Sequence, residues 1–314
     1  LLDYIDFVEQ QFVVLYSQYS KLFDLFSQKP QLLNEDIPSA IPFKLQEQHQ
    51  SQSNSIINHL FKLNFFAVNS IIIEAGSGTG QLGLTLACKL TENVQFYKDY
   101  YAQQTSLTTQ KKNTIPSDLK EKKNIFLIDL KTGLKHKNDR YFCFTDFNAV
   151  RVVGNVLYFS QKIIQQINVP RSQNQTFYLE QKTMEVAETE ENCTIIAKHL
   201  CGDATDIILG YKAKQFGIAL CCHAKSAGTN YVNKKFIENF DIEKLFKMTS
   251  WQHCFGANEL TEKQQKQKEI GFKARQILDV GRLLWLQRQG YECGLKRFCD
   301  QEQSGEQWLL WARK

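Results

Sequence analysis

The 314-residue sequence lacks the features that mark membrane-spanning or secreted proteins. No stretch approaches the ~20 consecutive apolar residues that a transmembrane helix needs. The segment from Leu1 to Phe12 carries acidic residues and no basic cluster, so it does not have the charge pattern of a secretory signal peptide. We therefore expect a protein of the cytoplasm or nucleus that does not bind membranes.

Cysteine pairs with the spacing CxxC are also missing, although the chain has 9 cysteines. An odd number of cysteines without a secretory signal predicts reduced thiols rather than disulfides. Structural zinc sites usually contain CxxC pairs, so we predict no metal site and favour thiols that pack as small apolar groups. The residues that could otherwise suggest zinc are Cys201, Cys221, Cys222, Cys254, His199, His223 and His253.

A strong charge of either sign is absent as well. The formal net charge is +5 and the sequence pI is near 8.6. This mild basicity permits a nucleic-acid partner but does not require one, because dedicated nucleic-acid-binding domains often exceed a pI of ~9.

Apolar periodicity divides the chain into a helical N-terminal extension, residues 1–50, and a larger domain, residues 51–314. The extension carries apolar side chains on several helical faces, so we expect it to dock on another surface, with a protein partner as one alternative. In the larger domain, short β-branched runs alternate with helical segments. This alternation predicts an α/β fold with a doubly wound sheet and helices on both faces.

The predicted elements of the larger domain follow from these runs. The strands are Ser70–Glu74, Asn124–Asp129, Thr194–Ala197, Gly217–Leu220, Glu292–Phe298 and Gln307–Ala312, and the helices are Ser55–Leu63, Leu82–Leu90 and Lys263–Gln289. Residues 139–170 are predicted to be irregular, with a strand followed by a helix within 150–164.

A glycine-rich turn between the first strand and the next helix is the strongest local motif. Its sequence, Glu74-Ala-Gly-Ser-Gly-Thr-Gly80, places an acidic residue at the strand end, followed by Gly76, Gly78 and Gly80. Glycines allow a tight turn and close approach of a ligand to the backbone. An acidic residue suits a cationic sulfonium and amino group better than a pyrophosphate. The motif therefore favours S-adenosylmethionine, and a turn without a ligand is the alternative.

A second acidic residue, Asp129, ends the next predicted strand. A carboxylate at this place can accept hydrogen bonds from both hydroxyls of a ribose. The distance along the chain from Gly80 is long, which makes Tyr97–Lys123 an insertion. An ordinary loop aspartate is an equal alternative.

Two further motifs follow short apolar strands later in the chain. The first is Lys198-His-Leu-Cys-Gly-Asp-Ala-Thr-Asp206, and the second is Cys221-Cys222-His223. Lys198 and His199 would lie at the carboxyl end of the sheet, where open α/β folds bind ligands, and can handle a hydroxyl proton or hold a phosphate. Thr205 or Asp206 is predicted to cap the next helix, and a capped turn without chemistry is the alternative.

The segment Ile270–Gly290 has the apolar spacing of an amphipathic helix that packs on the sheet. Its arginines, Arg275, Arg282 and Arg288, are predicted to be partly exposed, either within reach of phosphate or on a solvated face. Trp251, in the segment Thr249–Cys254, is suited to stack on a base, although core packing is the favoured role for a single tryptophan.

The order of these motifs resembles the eukaryotic tRNA ribose 2'-O-methyltransferases that modify the fourth nucleotide of the acceptor stem. The resemblance covers residues 50–314 and rests on these segments: Glu74–Gly80, Lys198–Asp206 (KHLCGDATD), Ile218–His223 (IALCCH) with Tyr231-Val232, Met248–Gly256 (MTSWQHCFG) and Ile270–Gly290. It implies a Rossmann-like methyltransferase domain with S-adenosylmethionine as donor and tRNA as acceptor. It also implies that Glu185 occupies the acidic position beside the adenine.

The resemblance implies a set of roles for the motif residues. Lys198 is the first candidate to lower the pKa of the ribose hydroxyl or to hold a phosphate, and His199, Asp206 and His223 are the second candidates. The residues implied to hold the cofactor are Glu74, Gly76, Gly78, Gly80, Asp129 and Glu185.

The chain departs from the family pattern at several positions. Thr79 stands where the family usually has Lys, Leu130 where Arg is usual, Ala224 where a second His is usual, and Ser226 where Cys is usual. These departures leave two alternatives to tRNA 2'-O-methylation. One is a methyltransferase of the same branch that acts on protein or another RNA, and the other is a non-catalytic member that binds cofactor or RNA within a complex.

Overall fold

The structure is a computed structural model that describes residues 2–33, 37, 47–66, 71–91, 123–129, 145, 147–153, 175–178, 193–253, 260–300 and 304–314. The chain forms two compact units. The central unit is Leu33–Ala197, and the terminal unit combines Leu1–Leu32 with Lys198–Lys314. The predicted division of the chain after residue 50 stays a prediction.

The described residues form six α-helices and eight strands, with four short 3₁₀ helices between them. The helices are α1 (Leu2–Phe23), α2 (Glu47–Lys62), α3 (Gln81–Leu90), α4 (Ala204–Leu209), α5 (Ile242–Met248) and α6 (Glu262–Arg288). The strands are β1 (Ile71–Ala75), β2 (Lys123–Asp129), β3 (Phe147–Val153), β4 (Gln175–Tyr178), β5 (Cys193–Lys198), β6 (Gln215–Ala219), β7 (Glu292–Arg297) and β8 (Trp308–Arg313). The predicted strands are present with small shifts of their ends, whereas the helix predicted over Ser55–Leu63 already begins at Glu47. The strand predicted within 150–164 is part of β3, and the helix predicted after it lies outside the described residues.

The central unit contains five parallel strands in the order β4-β3-β2-β1-β5. Apolar, largely β-branched side chains fill β1 and β5, and both strands are buried, as expected for a parallel sheet covered on its two faces. The chain places β2, β3 and β4 on one side of β1 and β5 on the other. This reversal of strand order makes the carboxyl end of β1 a topological switch point, where open α/β sheets bind their ligands.

The terminal unit is built around α6, whose buried side chains belong to more than one face of the helix. Helix α6 begins with a capping box, in which the Thr261 side chain accepts from the backbone N–H of Gln264 and the Gln264 side chain accepts from the backbone N–H of Thr261. Strands β6, β8 and β7 form the antiparallel sheet of this unit, with β8 in the middle. Gly294 of β7 fits against the Trp311 ring of β8, because an added Cβ there would lie 3.1 Å from the indole nitrogen.

Helix α1 packs on the other elements of the terminal unit. Its apolar faces, which were expected to dock on another surface, therefore contact the same chain. Phe7 makes an edge-to-face contact with Phe240, and the Tyr4 hydroxyl donates to the Asp241 carbonyl oxygen at 2.9 Å. Glu9 forms an ion pair with Lys273 of α6 at 3.0 Å. A part of the helix surface stays exposed, including Val13, Val14 and Tyr16.

The α/β class predicted from the sequence is confirmed. Among the described residues, no helix combines the length and the apolar character that a membrane crossing requires.

Candidate active site

The glycine-rich turn of the central unit adopts a conformation that explains its sequence. Gly76, Gly78 and Gly80 have φ angles of 65°, 50° and 75°, all in the left-handed region that side chains with a Cβ rarely adopt. The turn is closed by hydrogen bonds from the Gly80 N–H to the Ser77 carbonyl oxygen at 2.7 Å and from the Ser77 N–H to the Ile128 carbonyl oxygen at 2.9 Å. The turn is therefore fixed against the end of β2.

Asp129 reaches this turn from the end of β2. Its Oδ2 accepts a hydrogen bond from the Gly78 N–H at 2.7 Å, while the side chain is half-buried. Its Oδ1 has no hydrogen-bond partner within the described ranges. A Cβ added at Gly78 would meet no described atom within 4 Å, so there is open space directly beside the backbone that Asp129 holds.

Arg151 of β3 is a second support of the turn, and it was not among the residues predicted for the site. The side chain is fully buried, and its Nη1 donates to the Ser77 Oγ at 2.9 Å and to the Gly78 carbonyl oxygen at 3.2 Å. A buried guanidinium requires such acceptors because an unpaired charge in the interior is costly. The signal in the sequence was an arginine inside the apolar run of β3.

Glu74 lies beneath the turn and is 3% exposed. Its Oε2 accepts the N–H of Gly83 in the first turn of α3 at 2.7 Å, so the carboxylate satisfies one of the free amides at the helix N-terminus. Gly83 must lack a side chain here, since an added Cβ would lie 2.6 Å from the same oxygen. The structure gives Glu74 a role in holding α3 and the turn together, and its contact with a cofactor stays a prediction.

Lys198 is the last residue of β5, and His199 follows the strand directly. Lys198 is half-buried, and His199 is exposed with a φ of 61°. This left-handed conformation is uncommon for a residue with a side chain, and histidine is one of the residues that tolerates it better than most. The two side chains thus stand where solvent reaches them, as a group that acts on a substrate requires.

Asp206 is buried in an ion pair with Arg282 of α6. The Arg282 Nη2 donates to the Asp206 Oδ2 at 2.6 Å, and its Nε donates to the Asp206 Oδ1 at 3.0 Å. This two-point contact fixes the carboxylate inside the terminal unit. The predicted cap by Thr205 or Asp206 is wrong, because α4 begins after Asp203 and the Thr205 hydroxyl instead donates to the Leu200 carbonyl oxygen.

His223 is also buried and is held at both ring nitrogens. Its Nε2 lies 2.7 Å from the Asp279 Oδ1, and its Nδ1 lies 2.5 Å from the Cys221 carbonyl oxygen. Asp279 in turn accepts from the Arg282 Nη1 at 2.8 Å, which joins the two ion pairs into one network. Arg275 continues the network to Glu306, with its Nη1 2.5 Å from the Glu306 Oε2.

The buried network balances three acidic side chains against three basic ones. The members are Asp206, Asp279, Glu306, His223, Arg275 and Arg282. Burial by itself raises the pKa of Asp279, but His223, Arg282 and Arg275 together hold it well below its usual range. Burial lowers the pKa of Arg282, and Asp206 and Asp279 outweigh this effect and raise it.

The predicted partial exposure of two arginines of α6 is therefore wrong. Arg275 and Arg282 are 0% and 1% exposed. Both side chains point into the terminal unit because their acidic partners, Asp206 of α4 and Asp279 of α6, lie there. Arg288 is exposed, and its Nη1 donates to the Asn233 Oδ1 at 3.3 Å.

Three cysteine thiols meet beside this network. The Sγ atoms of Cys201 and Cys221 are 3.2 Å apart, and all three sulfur atoms of Cys201, Cys221 and Cys222 lie within 4.8 Å of one another. Hydrogen bonding from Cys221 lowers the pKa of Cys201 and that of Cys222, and the same bonds raise the pKa of Cys221. Glu185, Cys254 and Leu130 lie outside the described residues, as does the side chain of His253.

Comparison with known proteins identifies the family. The family model described as Methyltransferase TRM13 matches residues 51–313. The chain belongs to this family. The match spans both of its compact units and includes every motif described above.

Curated relatives carry the same family name. The protein named "tRNA:m(4)X modification enzyme TRM13" from Eremothecium gossypii is 27% identical over 152 residues, which cover 38% of this chain and 34% of the relative. The protein of the same name from Yarrowia lipolytica is 27% identical over 161 residues, which cover 38% of this chain and 35% of the relative. The relative of the same name from Kluyveromyces lactis is 30% identical over 138 residues, covering 33% of this chain and 32% of its own. The chain thus spans about a third of the length of the curated relatives that it matches.

One of the positions at which the sequence departs from the expected family pattern has a clear structural accommodation. Ser226, at the position where Cys is usual, is buried, and its hydroxyl donates to the Asp203 carboxylate and accepts the Gly228 N–H at 2.8 Å. Serine thus forms a polar contact with the loop before α4 that a thiol forms only weakly.

Proposed function

We propose that this TRM13 family member transfers a methyl group from S-adenosylmethionine to the 2'-hydroxyl of a ribose in the acceptor stem of tRNA. The observation that carries the proposal is the contact between Asp129 and the Gly78 N–H at the switch point of the parallel sheet. A half-buried carboxylate, whose Oδ1 has no partner among the described residues, then lies beside a backbone that a ligand can approach closely.

The central unit fits the cofactor in its shape and its charge. The left-handed glycines leave the backbone open at Gly78, and Asp129 offers its Oδ1 to a ribose hydroxyl. Arg151 donates to Ser77 and to the Gly78 carbonyl oxygen, so contacts within the chain hold the loop in place. Such preorganisation lowers the entropy that is lost on binding.

When bound, S-adenosylmethionine supplies an electrophilic methyl group on a sulfonium that is already a good leaving group. The chain has to orient the ribose oxygen in line with the methyl carbon and to accept the hydroxyl proton. Held geometry alone can contribute ~7–11 kcal/mol to such a reaction. Lys198 and His199 are the proposed groups at the hydroxyl or an adjacent phosphate, since both reach solvent.

Asp206 and His223 are proposed to act as positioning residues rather than as proton acceptors. Each is buried, and each already forms a hydrogen-bonded ion pair inside the terminal unit. A carboxylate held by two nitrogens of one guanidinium is a weak base. Their role is then to fix the segments that carry Cys221 and α4.

The tRNA substrate is supported by the relatives, whose names describe tRNA modification. The net charge of +5 agrees with an RNA partner without requiring one.

The test is methyl transfer from labelled S-adenosylmethionine to total tRNA, followed by alkaline hydrolysis and nuclease mapping. A ribose 2'-O-methyl group makes the adjacent phosphodiester resistant to alkali, so label in an alkali-resistant dinucleotide from the acceptor stem is the expected result. Label in alkali-sensitive mononucleotides would place the methyl group on a base and contradict the proposal. Parallel reactions with other RNA and with protein test the other substrates of this methyltransferase branch.

A variant pair separates chemistry from binding. Lys198→Ala is expected to lose most methyl transfer while it keeps its affinity for S-adenosylhomocysteine, and the exposed Lys235→Ala is the matched control. Full transfer by Lys198→Ala would remove Lys198 from the mechanism. Cofactor binding by the wild type without transfer to any substrate would favour the non-catalytic alternative.

A further inference from the structure

The three thiols of Cys201, Cys221 and Cys222 converge although they are far apart in the sequence. Cys201 lies in the turn after β5, and Cys221 and Cys222 follow β6. All three sulfur atoms lie within 4.8 Å of one another. Cys221 is buried, whereas Cys201 and Cys222 are half-buried, so the cluster has one closed side and one side that solvent reaches.

The backbone holds the two cysteine turns together independently of the thiols. Gly202 has a φ of 68°, and an added Cβ would lie 3.1 Å from the Lys225 carbonyl oxygen, so the turns touch through backbone atoms. The Gly202 N–H points to the Cys222 carbonyl oxygen at 3.5 Å, and the Lys225 N–H donates to the same oxygen at 3.3 Å. The thiols are therefore brought together by the fold and need no bond between them.

The arrangement suits a thiophilic divalent cation. In a tetrahedral site with a zinc–sulfur distance of ~2.3 Å, the sulfur atoms are about 3.8 Å apart. The pair Cys201 and Cys221, at 3.2 Å, needs only to open slightly to reach this value. Three thiolates and one divalent cation carry a net charge of −1. The positive charge of Lys225 favours the thiolate of both Cys201 and Cys222, and the negative charge of Glu306 opposes it at Cys222.

We propose that Cys201, Cys221 and Cys222 bind a zinc-type divalent cation through three thiolates, with the fourth coordination position open toward solvent. Soft sulfur ligands select zinc over magnesium or calcium. Binding releases the thiol protons and joins the turn that follows Lys198 and His199 to the turn that carries His223. This site is independent of the proposed methyl transfer, because it rests only on the terminal unit.

The prediction of no metal site from the sequence rested on the missing CxxC spacing. That spacing is typical of a single knuckle, in which one turn supplies two ligands. Here two separate turns supply the ligands, and 20 residues separate Cys201 from Cys221. Spacing along the chain therefore could not reveal the cluster.

The test is metal content and spectroscopy on the full chain, purified without a histidine tag after expression in zinc-supplemented medium. We expect about one zinc per chain by elemental analysis. Exchange for Cd²⁺ should produce the ultraviolet thiolate-to-metal charge-transfer band. Cys201→Ser and Cys222→Ser should lose most of the bound metal and the band, while Cys293→Ser, a half-buried thiol outside the cluster, should keep both.

Three results would overturn the proposal. The first is a wild-type chain that binds no stoichiometric zinc and gives no charge-transfer band with Cd²⁺. The second is full metal binding by Cys201→Ser and Cys222→Ser. The third is a disulfide between Cys201 and Cys221 in chain isolated with excess zinc and without oxygen. The spectrum of the wild type does not depend on the variants, so it decides the question if a serine variant fails to fold. Methyl transfer by the zinc-free chain would support the proposed function and would not bear on the zinc site. Only the metal measurements decide whether the zinc site exists.

Discussion

The Nε2 atom of His223 lies 2.7 Å from the Oδ1 atom of Asp279, and the Nδ1 atom lies 2.5 Å from the Cys221 carbonyl oxygen. Both partners are hydrogen-bond acceptors, so each ring nitrogen must carry a hydrogen to complete its bond. The Asp279 carboxylate thus lies where it can balance a positive charge on the ring. This arrangement explains how a histidine in a motif that suggests catalysis contributes to the architecture of the terminal unit.

The first prediction concerns the charge of Asp279. Asp279→Asn keeps the shape of the side chain but leaves His223, Arg275 and Arg282 with an excess of buried positive charge. Breaking a buried pair in this way costs about 3–5 kcal/mol of the free energy of unfolding. Urea denaturation measures the loss, and Glu243→Gln, which breaks an exposed ion pair with Lys247, should have little effect. Equal stability of the two variants would show that the network contributes nothing.

The second prediction concerns acid. The pKa of Asp279 is lower in the folded chain than the ~3.9 of an unfolded aspartate, because its basic neighbours outweigh the effect of burial. The stabilisation is thus complete above about pH 4 and declines as the pH falls toward the folded-state pKa. The free energy of unfolding of the wild type should fall more steeply as the pH drops below about 4 than that of Asp279→Asn. Parallel curves would contradict this assignment.

The third prediction concerns the cofactor. Asp129→Ala removes both the acceptor of the Gly78 N–H and the oxygen proposed for the ribose. A hydrogen bond to a charged group contributes ~1.5–3 kcal/mol, so affinity for S-adenosylhomocysteine should fall roughly tenfold to a hundredfold. Isothermal titration calorimetry measures the change, and the exposed Asp6→Ala serves as the control. Unchanged affinity would remove Asp129 from the cofactor site.

The fourth prediction concerns the close packing of α6. A Cβ at Gly281 would overlap the Tyr231 hydroxyl and lie 2.7 Å from Cδ1 of Phe236. Gly281→Ala should therefore destabilise the chain by about 1–3 kcal/mol. Tyr231→Phe removes one of the overlapping atoms, so the double variant should recover part of the loss. Thermal unfolding of the single and double variants checks this non-additivity, and strict additivity would contradict the contact.

The sequence predicted most of the elements because their apolar patterns are local. The strands around Ile71–Ala75 and Cys193–Lys198 are short β-branched runs next to turn residues, and such runs need no tertiary information to be recognised. Strand β4 (Gln175–Tyr178) was missed because four residues with two polar members carry no clear alternation. The glycine-rich turn was predicted for a similar local reason. The left-handed backbone of Gly76, Gly78 and Gly80 favours glycine whatever surrounds the turn.

The buried charges were harder to predict because their partners are distant in sequence. Arg282 and Asp206 are 76 residues apart, and a helical pattern alone directs an arginine to solvent. Arg151 and Ser77, which also form a hydrogen bond, are 74 residues apart. Only the fold reveals which polar residues meet.

The middle strand of the terminal sheet is the last of the described strands. Residues 308–313 form β8, which lies between β6 and β7, and the segments 1–32 and 198–314 together make up the unit. During synthesis, the ribosome releases the central unit before the terminal unit has all its strands. Because the Tyr4 hydroxyl donates to the Asp241 carbonyl oxygen, 237 residues later in the chain, α1 cannot complete its docking until that distant part of the chain has been synthesised.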